Sequence, residues 1–239
     1  MLKLLALLLS GAKFGKLLTT GGTMLISLVV YAWVYGWRYA AGFVTLLFVH
    51  EMGHFIAARH KGLNVGLPTF IPFVGAWVEL KDMPHDAQTE AYVGLAGPLL
   101  GTVGATVAYL MARSWDADWL LAVSYSGFFL NLFNLIPLSP FDGGRITAVL
   151  SPRIWLLGAP LLLAFFLWRP SVLLIMMAVL AWPQLVKAWR HRSDSPEAQT
   201  YYAVPAAVKW EYGTYYLVLA AFLAIMCHDV HEMLAHARP

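Results

Sequence analysis

The chain carries one cysteine, Cys227, among 239 residues. An intrachain disulfide and any Cys-rich zinc module are therefore excluded, and a metal site would have to be built from histidine and carboxylate ligands. Charge is scarce as well: Asp, Glu, Lys and Arg make up 12% of the sequence, against roughly 25% in an ordinary soluble domain. The formal charge is only +3, and the bases are scattered between apolar runs, so no basic patch for a nucleic acid is present. Internal repeats and low-complexity tracts are absent, and 187–209 is the one long polar run.

Apolar residues are what the chain has in excess. Hydrophobic residues account for 60% of it, aromatics for 14%, and the mean hydropathy is +0.65. So little polar surface cannot coat a water-soluble body of this size, which makes the chain a membrane protein. Runs long enough to cross a hydrocarbon core of about 30 Å occupy 17–37, 39–58, 91–112 and 119–141. Three shorter runs, 154–168, 171–186 and 212–227, fall below the usual length of about 20 residues. The expected fold is an all-α polytopic membrane protein with six or seven transmembrane helices. Only 67–80 breaks the pattern. Pro68, Pro72 and Gly75 forbid a regular helix there, and the aromatic and β-branched residues favour a short β-hairpin or re-entrant strand.

The expected organisation is a single membrane-embedded domain over 1–239: an interfacial lead-in (1–16), a core of helices (17–145), and additional helices (146–239) around a solvated cytoplasmic loop at 187–209. The stretch 4–9 resembles a short signal-peptide core behind Lys3, but no A-x-A-like cleavage site follows, and Lys13 and Lys16 come next. An uncleaved amphipathic segment at the interface is the better reading. With a cytoplasmic N-terminus and seven crossings, Arg38, Arg113, Arg169 and Arg238 fall outside and all the other bases inside. That asymmetry supports the orientation.

His50-Glu51-Met52-Gly53-His54 lies in the second apolar run. Histidines at i and i+4 share one helix face, about 6 Å apart at Cβ, a bite that can close on one Zn²⁺. Glu51 can reach a water at such a site without binding the metal. Coincidence is the competing explanation; with 8 His in the chain, a chance match has odds below about one in a hundred. Two imidazoles and a carboxylate in lipid also need partners that only a metal or a water cavity supplies. A hydrolytic zinc needs three protein ligands and one open position, so a third ligand must come from elsewhere. Asp142, in Asn134-Leu135-Ile136-Pro137-Leu138-Ser139-Pro140-Phe141-Asp142-Gly143-Gly144-Arg145, is the only carboxylate between Asp118 and Asp194. An Asx-turn or helix N-cap would also suit Asp-Gly-Gly after two prolines.

Taken together, H-E-x-x-H in one transmembrane helix and N-x-x-P-x-x-x-x-D-G-G two segments later resemble the site-2 protease family of intramembrane zinc metalloproteases. The resemblance covers about 45–145, including Gly97-Pro98 and Phe70-Ile71-Pro72-Phe73. It implies one zinc per chain held by His50, His54 and Asp142, Glu51 as general base, and Asn134 holding the substrate backbone. Many members of the family have Asn where this chain has Gly101, and no PDZ-like sequence is present. The implied substrate is a single-pass membrane protein reached within the lipid bilayer, and the implied location is the cell membrane of a prokaryote.

Depth arithmetic agrees with that placement. His50 lies about 14 Å from the cytoplasmic end of its helix at 1.5 Å per residue, and Asp142 is expected to end a helix arriving on the same side. Gly94, Gly97, Gly101 and Gly104 form a small-residue stripe, for which helix packing alone is a sufficient reason. His228, His231, Glu232 and His236 imitate a second metal cluster with the wrong spacing, at a chain end; His85, Asp86 and His191 fall in polar loops. The pairs Tyr201-Tyr202 and Tyr215-Tyr216 read as interfacial anchors. Two other functions use the same residues: a non-proteolytic metal-binding or metal-transporting membrane protein, which would line several helices with ionisable groups, and a membrane-anchored protease with a soluble catalytic domain, for which no soluble segment is long enough.

Overall fold

A computed structural model describes residues 2–73, 75–191 and 195–236. Helix α1 (Leu2–Tyr35) ends at Gly36, whose φ of 87° is one a side chain rarely tolerates. Immediately after that break, α2 (Trp37–His60) runs back. The helix runs unbroken from Leu2. Strands β1 (Thr69–Ile71) and β2 (Gly75–Trp77) pair antiparallel, Phe70 opposite Ala76, and a bridge from Val65 to Leu80 extends the ribbon. The expected hairpin therefore forms. Phe70 is buried against Tyr31, Val44 and Leu47, which clamps the hairpin to the α1–α2 pair.

Helix α3 (Ala87–Trp115) starts at an N-cap where Asp86 Oδ1 accepts from Thr89 N–H at 2.6 Å, and it continues through Pro98. Helix α4 (Asp118–Asn134) stops well short of the expected 141. Pro137 and Pro140 prevent its continuation, and 135–141 folds instead into a series of bends. Consequently Asp142 does not end a long helix; it opens the short α5 (Asp142–Ala148). After the single 3-10 turn Pro152–Ile154, α6 (Trp155–Trp168) and α7 (Val172–Arg190) form an antiparallel pair around Arg169-Pro170. Ser171 Oγ caps α7 by accepting from Leu174 N–H.

The polar run is less open than its composition suggests. It contains the last turn of α7, α8 (Pro196–Thr200) and the first turn of α9 (Ala206–His236). Tyr202 is buried, Tyr201 O accepts from Ala87 N–H at 2.9 Å, and Tyr201 O–H donates to Glu90 at 2.6 Å, so the segment is docked on the start of α3. Burial, followed by the charge of Glu90, pushes the Tyr201 phenol well above its usual pKa. Tyr201-Tyr202 are thus tertiary contacts rather than interfacial anchors. Residues 192–194, and Arg192 and Arg238 from the orientation argument, lie outside the described residues.

Among the described residues, four helices are long and apolar enough to cross a membrane: α2, α3, α7 and α9. Shorter apolar helices cover Thr19–Tyr35 and Pro152–Trp168. Large apolar side chains such as Trp33, at 91% exposure, and Val172, at 83%, cover the outside of the bundle. That surface matches lipid rather than water. The main core joins α2, α3, α4 and α9; a second one joins 136–148 to α6 and α7.

Candidate metal centre and active site

Three glycines let α2, α3 and α4 approach closely around the H-E-x-x-H turn. A Cβ on Gly53 would strike the Ala96 carbonyl, one on Gly97 the His54 imidazole, and one on Gly101 the Asn131 amide. The glycine stripe of α3 does more than pack helices, then, because two of its members vacate the space that buried polar side chains fill.

His50, Glu51, His54 and Asp142 are all buried. His50 Nε2 and His54 Nε2 each lie 3.2 Å from Asp142 Oδ2, and 3.2 Å from one another. The outer nitrogens settle the tautomers. His54 Nδ1 donates to the Val93 carbonyl at 2.8 Å. His50 Nδ1 donates to Asn131 Oδ1 at 2.8 Å, since the Asn131 amide nitrogen is committed to the Gly127 carbonyl at 2.7 Å. A neutral ring, the form that binds a metal, would then turn its Nε2 lone pair toward the same carboxylate oxygen. Three acceptors converging in a buried place repel one another unless a cation lies between them.

The triangle has the right size for a metal. Ligands held tetrahedrally at about 2.0–2.1 Å stand about 3.3–3.4 Å apart, and the three sides here are 3.2 Å. Among the described residues, His50, His54 and Asp142 are the one group of at least three candidate ligands so arranged. The histidines on α9 do not come together in that way, and His236 Nδ1 instead donates to the Glu232 carbonyl within its own helix.

Asp142 reaches the triangle because its flanking backbone is packed without side chains. A Cβ on Gly143 would strike Leu135 O, and one on Gly144 would strike Ser139 N. Trp155 Nε1–H donates to Gly144 O at 2.8 Å, and Tyr216 O–H donates to Leu135 O at 2.5 Å. Arg145 stands 3.9 Å from the other carboxylate oxygen of Asp142. A polar cavity of about 160 Å³, enough for several waters, is lined by the triangle together with Glu51, Asn134 and Arg145, and β2 and its extension wall one side through Ala76, Val78 and Leu80. His50, Glu51 and Asn134 also face a larger apolar cavity of about 490 Å³ that opens past Tyr31 and Phe73 toward Met176 and Met177.

Comparison with known proteins agrees with this geometry. Residues 38–118 match the model of peptidase family M50. This stretch resembles M50 peptidases. The matched segment includes the H-E-x-x-H turn and α3 but stops before Asn134 and Asp142, whose placement rests on the structure. Among relatives, the zinc metalloprotease MJ0392 of Methanocaldococcus jannaschii is 32% identical over 118 residues, covering 45% of this chain and 34% of that protein. A protein of Mycobacterium tuberculosis that carries the name zinc metalloprotease Rip3 is 32% identical over 132 residues, 49% of this chain and 32% of its own length. The chain spans about a third of the length of these relatives. A solved structure, the site-2 protease from Methanocaldococcus jannaschii, superposes with a TM-score of 0.47 at 21% identity, over 72% of this chain and 88% of that one. The chain is an integral membrane protein whose residues 38–118 are similar to a metalloprotease family.

Sequence reasoning missed Asn131 and Trp155, and it read Gly97 as helix packing alone and Tyr216 as an interfacial anchor, whereas Gly97 makes room for His54 and Tyr216 donates to Leu135 O. An amide between Leu130 and Leu132 in an apolar helix is itself a signal of function. The carbonyl of Val93 has no signal, because any residue supplies one.

Proposed function

We propose that this chain is an intramembrane zinc metalloprotease that cleaves transmembrane segments of single-pass membrane proteins. The observation that carries this reading is the convergence of two Nε2 nitrogens and a carboxylate oxygen beside a buried glutamate, in a cavity with room for water. His50, His54 and Asp142 would hold one zinc, whose chemistry there is Lewis-acid polarisation of a carbonyl and activation of water at neutral pH. Glu51 takes the proton from the attacking water and hands it to the leaving amine. Asn134, at the end of α4, faces both cavities and hydrogen-bonds the backbone of the incoming segment.

A helical substrate hides its carbonyls in its own hydrogen bonds and must unwind, which is expensive in lipid. The hairpin β1–β2 stands against the cavity through Ala76 and can accept the unwound segment as an added strand. Cleavage then takes place in one membrane domain over 1–239, with 17–145 as its catalytic core and six or seven crossings. The N-terminus lies in the cytoplasm, in the cell membrane of a prokaryote. A metal-transport reading would need successive ligand sets along a path, whereas the described residues hold one. The test is zinc content together with cleavage of a single-pass substrate in liposomes. Wild type should bind zinc and cleave, and Glu51→Gln should bind zinc and not cleave. Equal zinc loss in Glu51→Gln and His54→Ala would refute the division of roles.

A further inference from the structure

The two histidines are oriented by different means. His54 is held by a backbone carbonyl, Val93 O, which no substitution removes. His50 is held by a side chain, Asn131, which is 1% exposed and makes two hydrogen bonds with opposite polarity: its oxygen accepts from His50 Nδ1, and its nitrogen donates to Gly127 O. The second bond fixes which way round the amide sits, and so guarantees that an acceptor faces the imidazole. A third element makes room. Gly101 on α3 approaches the same amide so closely that a single added methyl would strike both its oxygen and its nitrogen.

We propose that Asn131 is a positioning residue that fixes the tautomer and rotation of His50, and that Gly101 supplies the space it requires. The inference rests on the metal-centre reading above. An imidazole that donates from Nδ1 keeps its lone pair on Nε2, where the triangle needs it; partners of this kind set ligand orientation and basicity. Without the Asn131 oxygen, a buried N–H is stranded at Nδ1. The ring escapes that cost by moving its proton to Nε2, which then cannot ligate. A back-bond to Gly127 O alone is a common habit of polar residues in apolar helices. It gives no reason for the amide oxygen to meet a histidine 81 residues away, nor for a glycine on a third helix to clear that spot.

The test measures zinc affinity of the detergent-purified full chain by competition with a chromophoric chelator, and the visible spectrum of the cobalt-loaded protein, for wild type, Asn131→Leu, Asn131→Asp and Gly101→Ala. Asn131→Leu, close in volume but without an acceptor, should lose about 10- to 100-fold in affinity, the range for partners of metal-bound histidine, with helicity unchanged and the cobalt bands shifted. Asn131→Asp keeps an acceptor for His50 Nδ1 but loses the donor to Gly127 O, and should bind zinc more tightly than Asn131→Leu. Gly101→Ala, which touches no ligand, should weaken zinc in the same direction as Asn131→Leu. Wild-type affinity and spectrum in Asn131→Leu overturn the role of Asn131 while leaving the metal centre intact. If Asn131→Leu loses helicity, Gly101→Ala decides: unchanged zinc binding there overturns the proposal. A wild-type chain that takes up no zinc overturns the metal-centre reading, and this inference with it.

Discussion

Half of the membrane-crossing stretch of α2, and half of that of α3, is buried inside the protein; for α7 the share is 17%. The first two helices, with α4, meet through glycines and enclose polar groups. The α6–α7 pair meets its neighbours through Leu138, Phe141, Trp155, Leu162 and Leu174 and leaves most of its apolar surface to lipid. The difference teaches where precision is stored. Close approach of backbones costs side-chain freedom everywhere along the contact, and the chain concentrates it around His50, His54 and Asp142, although Gly158 on α6 also packs tightly, against Pro137 O. Asp142 stands on the seam. Leu135 and Ile146 on either side of it belong to the α2–α3–α4–α9 core, while Leu138 and Phe141 belong to the other.

Substitutions on the two sides should therefore differ in kind. The largest effect is expected for His54→Ala, which should abolish zinc binding and cleavage together, measured by metal analysis and a cleavage assay. Gly97→Ala comes next. It deletes no polar group, yet its methyl meets the His54 ring, and overpacking of this kind costs about 1–3 kcal/mol. A lowered thermal midpoint with loss of most of the zinc is the expected pair of readouts, and normal zinc binding would dissolve the distinction between the two regions. Asp142→Asn keeps shape and turn-forming capacity while removing the charge. Zinc affinity should fall at least about tenfold with helicity unchanged.

On the seam itself, Tyr216→Phe removes the donor to Leu135 O. A buried carbonyl left unpaired costs about 1–3 kcal/mol, so the thermal midpoint should drop while zinc stays bound. The smallest effect belongs to the outer pair. Leu163→Ala, on α6 at 56% exposure, should change stability by no more than about 0.5 kcal/mol and leave zinc untouched. A large effect there would show that α6 carries more of the site's precision than its burial indicates.

Much of this was written in the sequence, and the parts that were not share a cause. His50, Glu51 and His54 announce themselves because histidine and glutamate have no ordinary place in an apolar helix. The hairpin at 67–80 follows from two prolines and a glycine, and Asp142 stood out as the lone carboxylate in a long interval. Helix ends were legible only where the breaking residue sits at the boundary, as Gly36 does. At 119–141 the hydropathy stays high through 135–141, and only Pro137 and Pro140 betray that the backbone leaves the helix. The docking of 195–205 on α3 could not be read from composition, since it depends on a backbone carbonyl and on Tyr201 meeting Glu90 across 111 residues. The work of Gly97 was hidden for a similar reason: a missing side chain tells nothing about what fills its place.

The separation of the ligands along the chain has one more consequence. His54 and Asp142 are 88 residues apart, and between them the chain passes through the hairpin, α3 and α4. An ion shared by those two side chains is a cross-link that closes this long loop, in the manner of a reversible staple. A folded state that alone can assemble the three ligands gains the ion's binding free energy as stability. Chelation should therefore do more than silence the proposed cleavage. It should lower the temperature at which α5 parts from α2, and it should expose the 135–141 segment to proteases that the metal-loaded protein resists.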